Sequence, residues 1–154
     1  MPGYERNIVT KKTEPLPSLR GLRHLALRVT DMARARKFYQ GLLGMTVVWE
    51  PDPENVYLTS GSDNLALHVM PKEEAAVFDS SKGQAMDHFG FIAETPEAVR
   101  VFEERMKKAG VRIVKPFKQH RDGSSSFYMA DPDGNVIQIL YEPKISPMKI
   151  RGTE

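Results

Sequence analysis

The sequence repeats one plan twice, at an interval of 64 residues. A strand-like segment with His24 near its start recurs with His88 in the same place. Seven residues after each histidine comes a residue that is favoured at helix N-caps, Asp31 in the first copy and Thr95 in the second. We therefore predict two copies of one module, each opening with a histidine-bearing strand that leads into a helix.

Three further strand-like segments complete each copy, so the predicted module is βαβββ. Residues 116–125 are expected to form a loop, and a helical turn is expected near residues 73–78. The predicted strands are Leu22 to Val29, Met45 to Trp49, Val56 to Thr59 and Leu65 to Met70, then a segment around His88, Val111 to Val114, Ser126 to Ala130 and Val136 to Tyr141. This order predicts an α+β fold, in which the two modules form a curved mixed sheet around a shared cavity.

The same pattern suggests how the chain is divided. Residues 1–19 are proline-bearing and lack periodicity, which predicts an N-terminal arm. Residues 20–145 form one predicted domain, with module one at 20–72, a linker at 73–85 and module two at 86–145. Residues 146–154 are expected to be a polar C-terminal tail.

Composition excludes several classes of function. Lys and Arg total 22 against 20 for Asp and Glu, and this near balance argues against a nucleic-acid partner. Apolar runs do not approach the roughly 20 residues that a membrane span needs, and the N-terminus is too polar for a secretory signal. The chain has no cysteine, which excludes disulfides, thiolate metal sites and cysteine nucleophiles. We therefore expect a cytoplasmic protein without a membrane partner.

Four polar side chains are predicted to face the shared cavity. Because successive residues of a strand face opposite sides, the alternation in the fourth and last strands turns His68 and Gln138 away from the helices. They join His24 and His88 there. Imidazole is a common ligand for transition metals and an amide oxygen is a weaker, neutral one. The alternative for each residue is an ordinary hydrogen-bonded structural role, and a slip of one residue turns His68 toward the helices.

Several segments resemble the vicinal oxygen chelate superfamily, the group of glyoxalases, fosfomycin-resistance and bleomycin-resistance proteins and extradiol dioxygenases. These segments are His24 to Asp31, Phe38-Tyr39, Leu42 to Met45, Phe127 to Met129 and Asp131 to Asn135. The resemblance spans roughly residues 22–142. It implies a glyoxalase-like fold of paired βαβββ modules and a divalent metal ion, such as Zn, Ni, Co, Mn or Fe, held by side chains from four strands.

The resemblance also implies roles for individual residues. His24 and His88 match the first-strand ligands of the two modules, and His68 lies at or one residue from the fourth-strand ligand. Gln138 occupies the last-strand position, where the family usually has glutamate. Glutamine is neutral and cannot act as a base, so proton-shuttling isomerisation through this residue is not expected. In the fosfomycin-resistance branch, the positions of Ser126 and Tyr128 supply polar groups to the substrate.

Two functions follow from these expectations. The first is a metal-dependent enzyme of the glyoxalase or dioxygenase type that acts on a small oxygen-bearing substrate, with the reaction left open. Tyr128 and His120 are its catalytic candidates, and Arg121, Ser126, Tyr128 and Met70 are its substrate-binding candidates. The alternative is a protein of the same fold that binds a small, antibiotic-like molecule without chemistry. In either case we expect a homodimer, since a second copy can close exposed sheet edges and an open cavity.

Overall fold

The computed structural model describes residues 22–82 and 86–147 and confirms the repeated βαβββ module. The predicted arm at residues 1–19 and residues 148–154 of the predicted tail lie outside this range. Module one contains β1 (His24–Val29), α1 (Met32–Arg36) continued by a π-helical segment (Lys37–Leu42), β2 (Thr46–Asp52), β3 (Asn55–Thr59) and β4 (Asn64–Val69). After α2 (Lys72–Val77), module two contains β5 (Phe89–Ile92), α3 (Pro96–Lys108), β6 (Ile113–Gln119), β7 (Ser125–Ala130) and β8 (Val136–Tyr141).

The strands form two four-stranded mixed sheets with the same internal order. The first is β1-β4-β3-β2 and the second is β5-β8-β7-β6, with β1 parallel to β4 and β5 parallel to β8. The remaining pairs are antiparallel. Within the described residues β1 and β5 each lie at the edge of their own sheet, so each sheet has an unpaired edge beside its opening histidine.

The helices begin where the sequence predicts. The Asp31 carboxylate accepts a hydrogen bond from the Arg34 amide at 2.8 Å, and the Thr95 hydroxyl accepts one from the Ala98 amide at 3.1 Å. Pro96 follows Thr95 at the first helical position, where its missing N–H costs nothing. In the part of the chain that the structure describes, no helix is long and apolar enough to cross a membrane.

One face of each sheet forms the core and the other carries the polar candidates. The core faces include Leu27, Leu67, Phe127 and Ile139, all of them buried. We call the opposite surfaces the first open face and the second open face. The first open face carries Trp49, Asn55, Tyr57, Asn64 and His68, with His24; the second carries Lys115, Lys118, Ser126, Tyr128 and Gln138, with His88 beside them.

A buried polar contact joins the two modules. The Tyr39 hydroxyl, from the π-helical segment, donates to the Asp131 carboxylate of the β7–β8 turn at 2.6 Å. Nearby, the Thr30 hydroxyl and the Arg34 guanidinium donate to Asp133. Burial, and then the adjacent Asp131 charge, raise the pKa of Tyr39 well above its ordinary value. The Asp-Pro-Asp-Gly turn therefore holds module one against module two.

The predicted loop at residues 116–125 is wrong over part of its length. Strand β6 continues through Pro116 to Gln119, and β7 already begins at Ser125. Proline has no N–H to donate, which argues against a central strand but is compatible with an edge strand. Since β6 is the outermost strand of its sheet, Pro116 fits there.

Candidate functional site

Two histidines of the first open face are each paired with an asparagine. His24 Nδ1 lies 2.7 Å from Asn64 Oδ1, and His68 Nδ1 lies 2.6 Å from Asn55 Oδ1. An amide oxygen only accepts, so each Nδ1 carries the hydrogen and each Nε2 keeps its lone pair. Both imidazoles are therefore prepared to act through Nε2, as a ligand or as a base.

The second open face brings three predicted residues together. The His88 ring packs edge-on against the Tyr128 ring, with 5.1 Å between centroids, and Tyr128 lies directly opposite Gln138 across the β7–β8 pair. His88 Nδ1 contacts the Asp87 carboxylate at 2.5 Å, which again directs Nε2 outward. Carboxylate or amide partners of this kind orient histidines that bind metals.

Gly90 leaves room for Gln138. The two residues are partners across the parallel β5–β8 pair. A Cβ atom at position 90 would stand 2.9 Å from the Gln138 carbonyl oxygen and 3.4 Å from its Cβ. Because Gly90 has no side chain, β5 can pack closely against the backbone of Gln138 in β8.

The register separates His68 from the other candidates of its sheet. His24 pairs with Asn64 and Arg28 pairs with His68, so the two histidines are four residues apart along parallel strands. At about 3.3 Å per residue this is about 13 Å, whereas a metal binds imidazole nitrogen at about 2 Å. The position of module one that corresponds to Gln138 is Ala66, two residues before His68.

The side chains of His24, His88 and Gln138 carry atoms that can bind a divalent metal ion. Two imidazole Nε2 atoms and one amide oxygen are acceptable ligands for such an ion. Among residues 22–82 and 86–147 of one copy, however, no three His, Cys, Asp or Glu side chains converge. His24 lies on the first open face, whereas His88 and Gln138 lie on the second, so a common site requires these two faces to meet.

Two lysines of the second open face were missed by the sequence reasoning. Lys115 lies opposite Tyr128 and Lys118 opposite Ser126, and the Lys115 ammonium stands 4.8 Å from the Tyr128 ring centroid. Residues three apart in a regular strand face opposite sides, but an irregularity in β6 between them turns both to the same face. Pro116 concealed the strand, and a bulge leaves no signal in the sequence.

The remaining candidates lie around the edges of the open faces. His120 Nε2 lies 3.2 Å from the hydroxyl of the buried Ser126, while Arg121 is exposed at the tip of the β6–β7 hairpin. Hydrogen bonds from Ser124 lower the pKa of Asp122 in the same tip. Met70, just after β4, lines a cavity of about 550 Å³ beside α2, and Arg28, the cross-strand partner of His68, lines it too.

Several known proteins are similar to this chain in sequence. The chain is 32% identical over 124 residues to the glutathione transferase FosA of Serratia marcescens, covering 79% of this chain and 80% of that protein. It is 25% identical to a probable trivalent organoarsenical cleaving enzyme of Bacillus subtilis, covering 77% of each chain. It is 24% identical to the metallothiol transferase FosB of Bacillus licheniformis, covering 77% of this chain and 73% of that protein.

Solved structures show the same architecture. A glyoxalase-related enzyme from Fulvimarina pelagi superposes with a TM-score of 0.65 at 23% identity, over 81% of this chain and 90% of that one. At this identity the likeness concerns the fold alone. The sequence model of the Glyoxalase/Bleomycin resistance protein/Dioxygenase superfamily matches residues 21–139. The chain therefore belongs to the Glyoxalase/Bleomycin resistance protein/Dioxygenase superfamily.

Proposed function

We propose that the chain is a metal-dependent transferase that joins a low-molecular-weight thiol to a small, anionic, oxygen-bearing substrate. The observation that carries the proposal is the meeting of His88, Tyr128 and Gln138 on one open face, with Lys118 and Ser126 beside them. Two relatives, FosA and FosB, are thiol transferases by name, and the second name also includes a metal. These likenesses support the class of reaction.

The proposed metal ligands are His24, His88 and Gln138. A bound divalent cation would polarise an oxygen of the substrate and make the adjacent carbon more electrophilic. Because all three ligands are neutral, none offsets the positive charge of the ion. Gln138 fixes the geometry and takes no part in moving protons. His68 is left out of this set because of its distance from His24.

The anionic character of the substrate is inferred from the charges of the second open face. Lys115 and Lys118 both project beside Tyr128 and Ser126, and Arg121 lies at the adjoining hairpin tip. Three cations next to hydroxyl groups favour a phosphonate, phosphate or carboxylate. Tyr128 orients this substrate, and His120, held near Ser126, is a candidate acid at the same end.

Two other functions are less well supported. Cleavage of trivalent organoarsenicals involves a soft, thiol-seeking arsenic atom, and this chain has no cysteine to hold one. Binding of an antibiotic-like molecule without chemistry is the second candidate, and it is favoured by the asparagine partners, which satisfy His24 and His68 without any metal. Metal content of the protein as purified separates this candidate from the enzyme.

We further propose a cytoplasmic homodimer that shares its sites. The unpaired edges of β1 and β5 are open to a second copy, and His24 of one copy would then meet His88 and Gln138 of the other. This arrangement would bring the first open face of one copy against the second open face of the other.

Metal analysis of single variants tests the ligand set. We expect near-stoichiometric transition metal in the parent protein, loss of metal in His24→Ala and His88→Ala, and full retention in His68→Ala, the matched control from the same open face. All three variants should stay folded by circular dichroism. Full metal content in His88→Ala would contradict the proposal.

Mixing the variants tests the sharing of sites. If ligands come from two copies, refolding His24→Ala together with His88→Ala restores about one site in four, because half of the dimers are mixed and each mixed dimer has one intact site. Sites built within one copy recover nothing on mixing. Transfer itself is measured with glutathione as donor and fosfomycin as acceptor, with and without Mn or Zn.

A further inference from the structure

His68 lies on one of the open faces and does not belong to the proposed metal set. It lies on the first open face with His24, four residues further along the parallel strands and about 13 Å away. One ion cannot bridge that distance, but a thiol and the carbon that it attacks can occupy it. His68 is half-buried, so part of its side chain is exposed on the first open face.

A chain of hydrogen bonds fixes the orientation of the His68 ring. The Asn55 side-chain N–H group donates to both oxygens of Asp52, at 2.8 and 3.0 Å. A carboxylate without its proton only accepts, so the amide of Asn55 is turned with its oxygen toward His68. That oxygen accepts from His68 Nδ1 at 2.6 Å. The Asp52–Asn55–His68 chain thus leaves Nε2 as a proton acceptor, much as the asparagine of cysteine proteases orients its histidine.

The other groups around His68 suit a proton acceptor that works beside an organic ligand. Its cross-strand neighbour Arg28 is ion-paired with Glu74 of α2, so this cation has a partner of its own. On the β3 side the Tyr57 ring stands edge-on at 5.8 Å, and Trp49 lies 5.0 Å beyond it. The contacts of His68 in the described part of the chain thus bring four charged or titratable groups near it, directly or through a neighbour: Arg28, Glu74, Asp52 and Tyr57.

We propose that His68 is the general base that activates the thiol, an inference that rests on the proposed transferase function. Nε2 takes the proton from the thiol sulfur, and the resulting thiolate attacks the electrophilic carbon of the substrate. A C–S bond forms as the C–O bond breaks, and the electron pair of that bond passes to the oxygen. The oxygen then receives a proton, from the His68 imidazolium or from water, so protons and electrons balance. Asn55 and Asp52 are positioning residues.

The first test measures the thiolate directly, without turnover. Protein as purified is mixed with glutathione near neutral pH and no acceptor, and ultraviolet absorbance of the thiolate is recorded. We expect a signal in the parent protein and none in His68→Gln, whose metal content and melting temperature should match the parent. Asn64→Ala is the matched control, because it removes the asparagine of His24 rather than that of His68. It should weaken metal binding and keep the signal.

The second test uses turnover. His68→Gln should lower kcat by roughly 10²- to 10⁴-fold, the usual contribution of a general base, and remove the acid limb from the pH profile of kcat/KM. Added imidazole should restore part of the activity of His68→Ala. Asn55→Ala should lower kcat by roughly tenfold while it keeps the acid limb, as expected for a positioning residue.

The outcomes separate this inference from the proposed function. A parent-like thiolate signal or pH profile in His68→Gln would overturn the role of His68 as base, and so would loss of metal in that variant. A His68-dependent thiolate signal without transfer to any acceptor would support the base and refute only the proposed acceptor. Transfer that proceeds normally in His68→Gln would leave the transferase intact and remove His68 from its mechanism.

Discussion

Replacing Tyr39 with phenylalanine tests the contact that joins the two modules. The substitution removes one hydroxyl, whose hydrogen bond to Asp131 measures 2.6 Å in a fully buried position. The ring itself remains, with its edge-to-face contact on Phe38 at 5.0 Å between centroids. The variant therefore isolates one hydrogen bond to a carboxylate and leaves the packing of the core unchanged.

The expected loss in free energy of unfolding depends on the hydrogen bonds that Asp131 retains in the variant. Its carboxylate also accepts hydrogen bonds from the backbone amides of Asp133 and Asn135 at 2.9 and 2.8 Å, and from the Asn135 side chain at 2.8 Å. These three hydrogen bonds remain in the variant, so the buried Asp131 carboxylate still has partners. A hydrogen bond to a charged group contributes about 1.5–3 kcal/mol, and we expect Tyr39→Phe to lower the free energy of unfolding by about 2 kcal/mol. For a chain of this size the melting temperature should fall by roughly 4–8 °C.

Urea and thermal unfolding of the parent and two variants measure this effect. The control is Tyr57→Phe, which removes the same atom from a half-buried ring on the first open face and should cost less than about 0.5 kcal/mol. A Tyr39→Phe protein with the urea midpoint and melting temperature of the parent would refute the reasoning, since the contact between modules would then contribute nothing.

Three further predictions concern the same elements. Burial and the Asp131 charge raise the pKa of Tyr39, so the unfolded chain loses the phenolic proton first as the pH rises above about 10. The free energy of unfolding should therefore fall with rising pH in this range. Thermal melts at alkaline pH should show a weaker pH dependence for Tyr39→Phe than for the parent. Gly90→Ala should cost about 1–3 kcal/mol in urea melts and weaken metal binding, because its Cβ meets the Gln138 backbone at 2.9 Å, whereas Gly41→Ala, with open space around it, should not destabilise. Gln138→Glu should tighten metal binding and make it fall more steeply toward low pH in titrations followed by melting; destabilisation that no added metal relieves would contradict the ligand role.

Much of the fold was predictable because each local signal agreed with the repeat. Asp31 and Thr95 are the observed helix caps, and β8 spans the residues predicted for it. The pairing of β1 with β4, two strands that are not neighbours in sequence, was not among the predictions and is seen only in the structure. The course of β6 was not predictable, since Pro116 ordinarily ends a strand and only its place at a sheet edge permits it.

The candidate site was predictable by residue type but not by register. Alternation placed His68 and Gln138 on the open faces, where the structure has them. Alternation does not show how far along the sheet a residue lies, because that depends on which residues pair across strands. The four-residue offset between His24 and His68 appears only in the β1–β4 register. The same register decides which residues lie beside the two histidines. Their partners Asn64 and Asn55 were therefore not predictable from the sequence either.

The two open faces carry different residues at equivalent positions of the repeat. Equivalent positions carry Asp52, Asn55 and His68 in module one and Lys118, Ser126 and Leu140 in module two, each trio aligned across the last three strands of its module. One face therefore presents a hydrogen-bonded imidazole beside aromatic rings, and the other presents cations beside hydroxyl groups. The imidazole and the aromatic rings of the first open face suit the binding of an organic thiol and its deprotonation. The cations and hydroxyl groups of the second open face suit an anionic acceptor. A transferase must hold two different substrates against each other, and two equivalent surfaces with different side chains suit the proposed reaction for that reason.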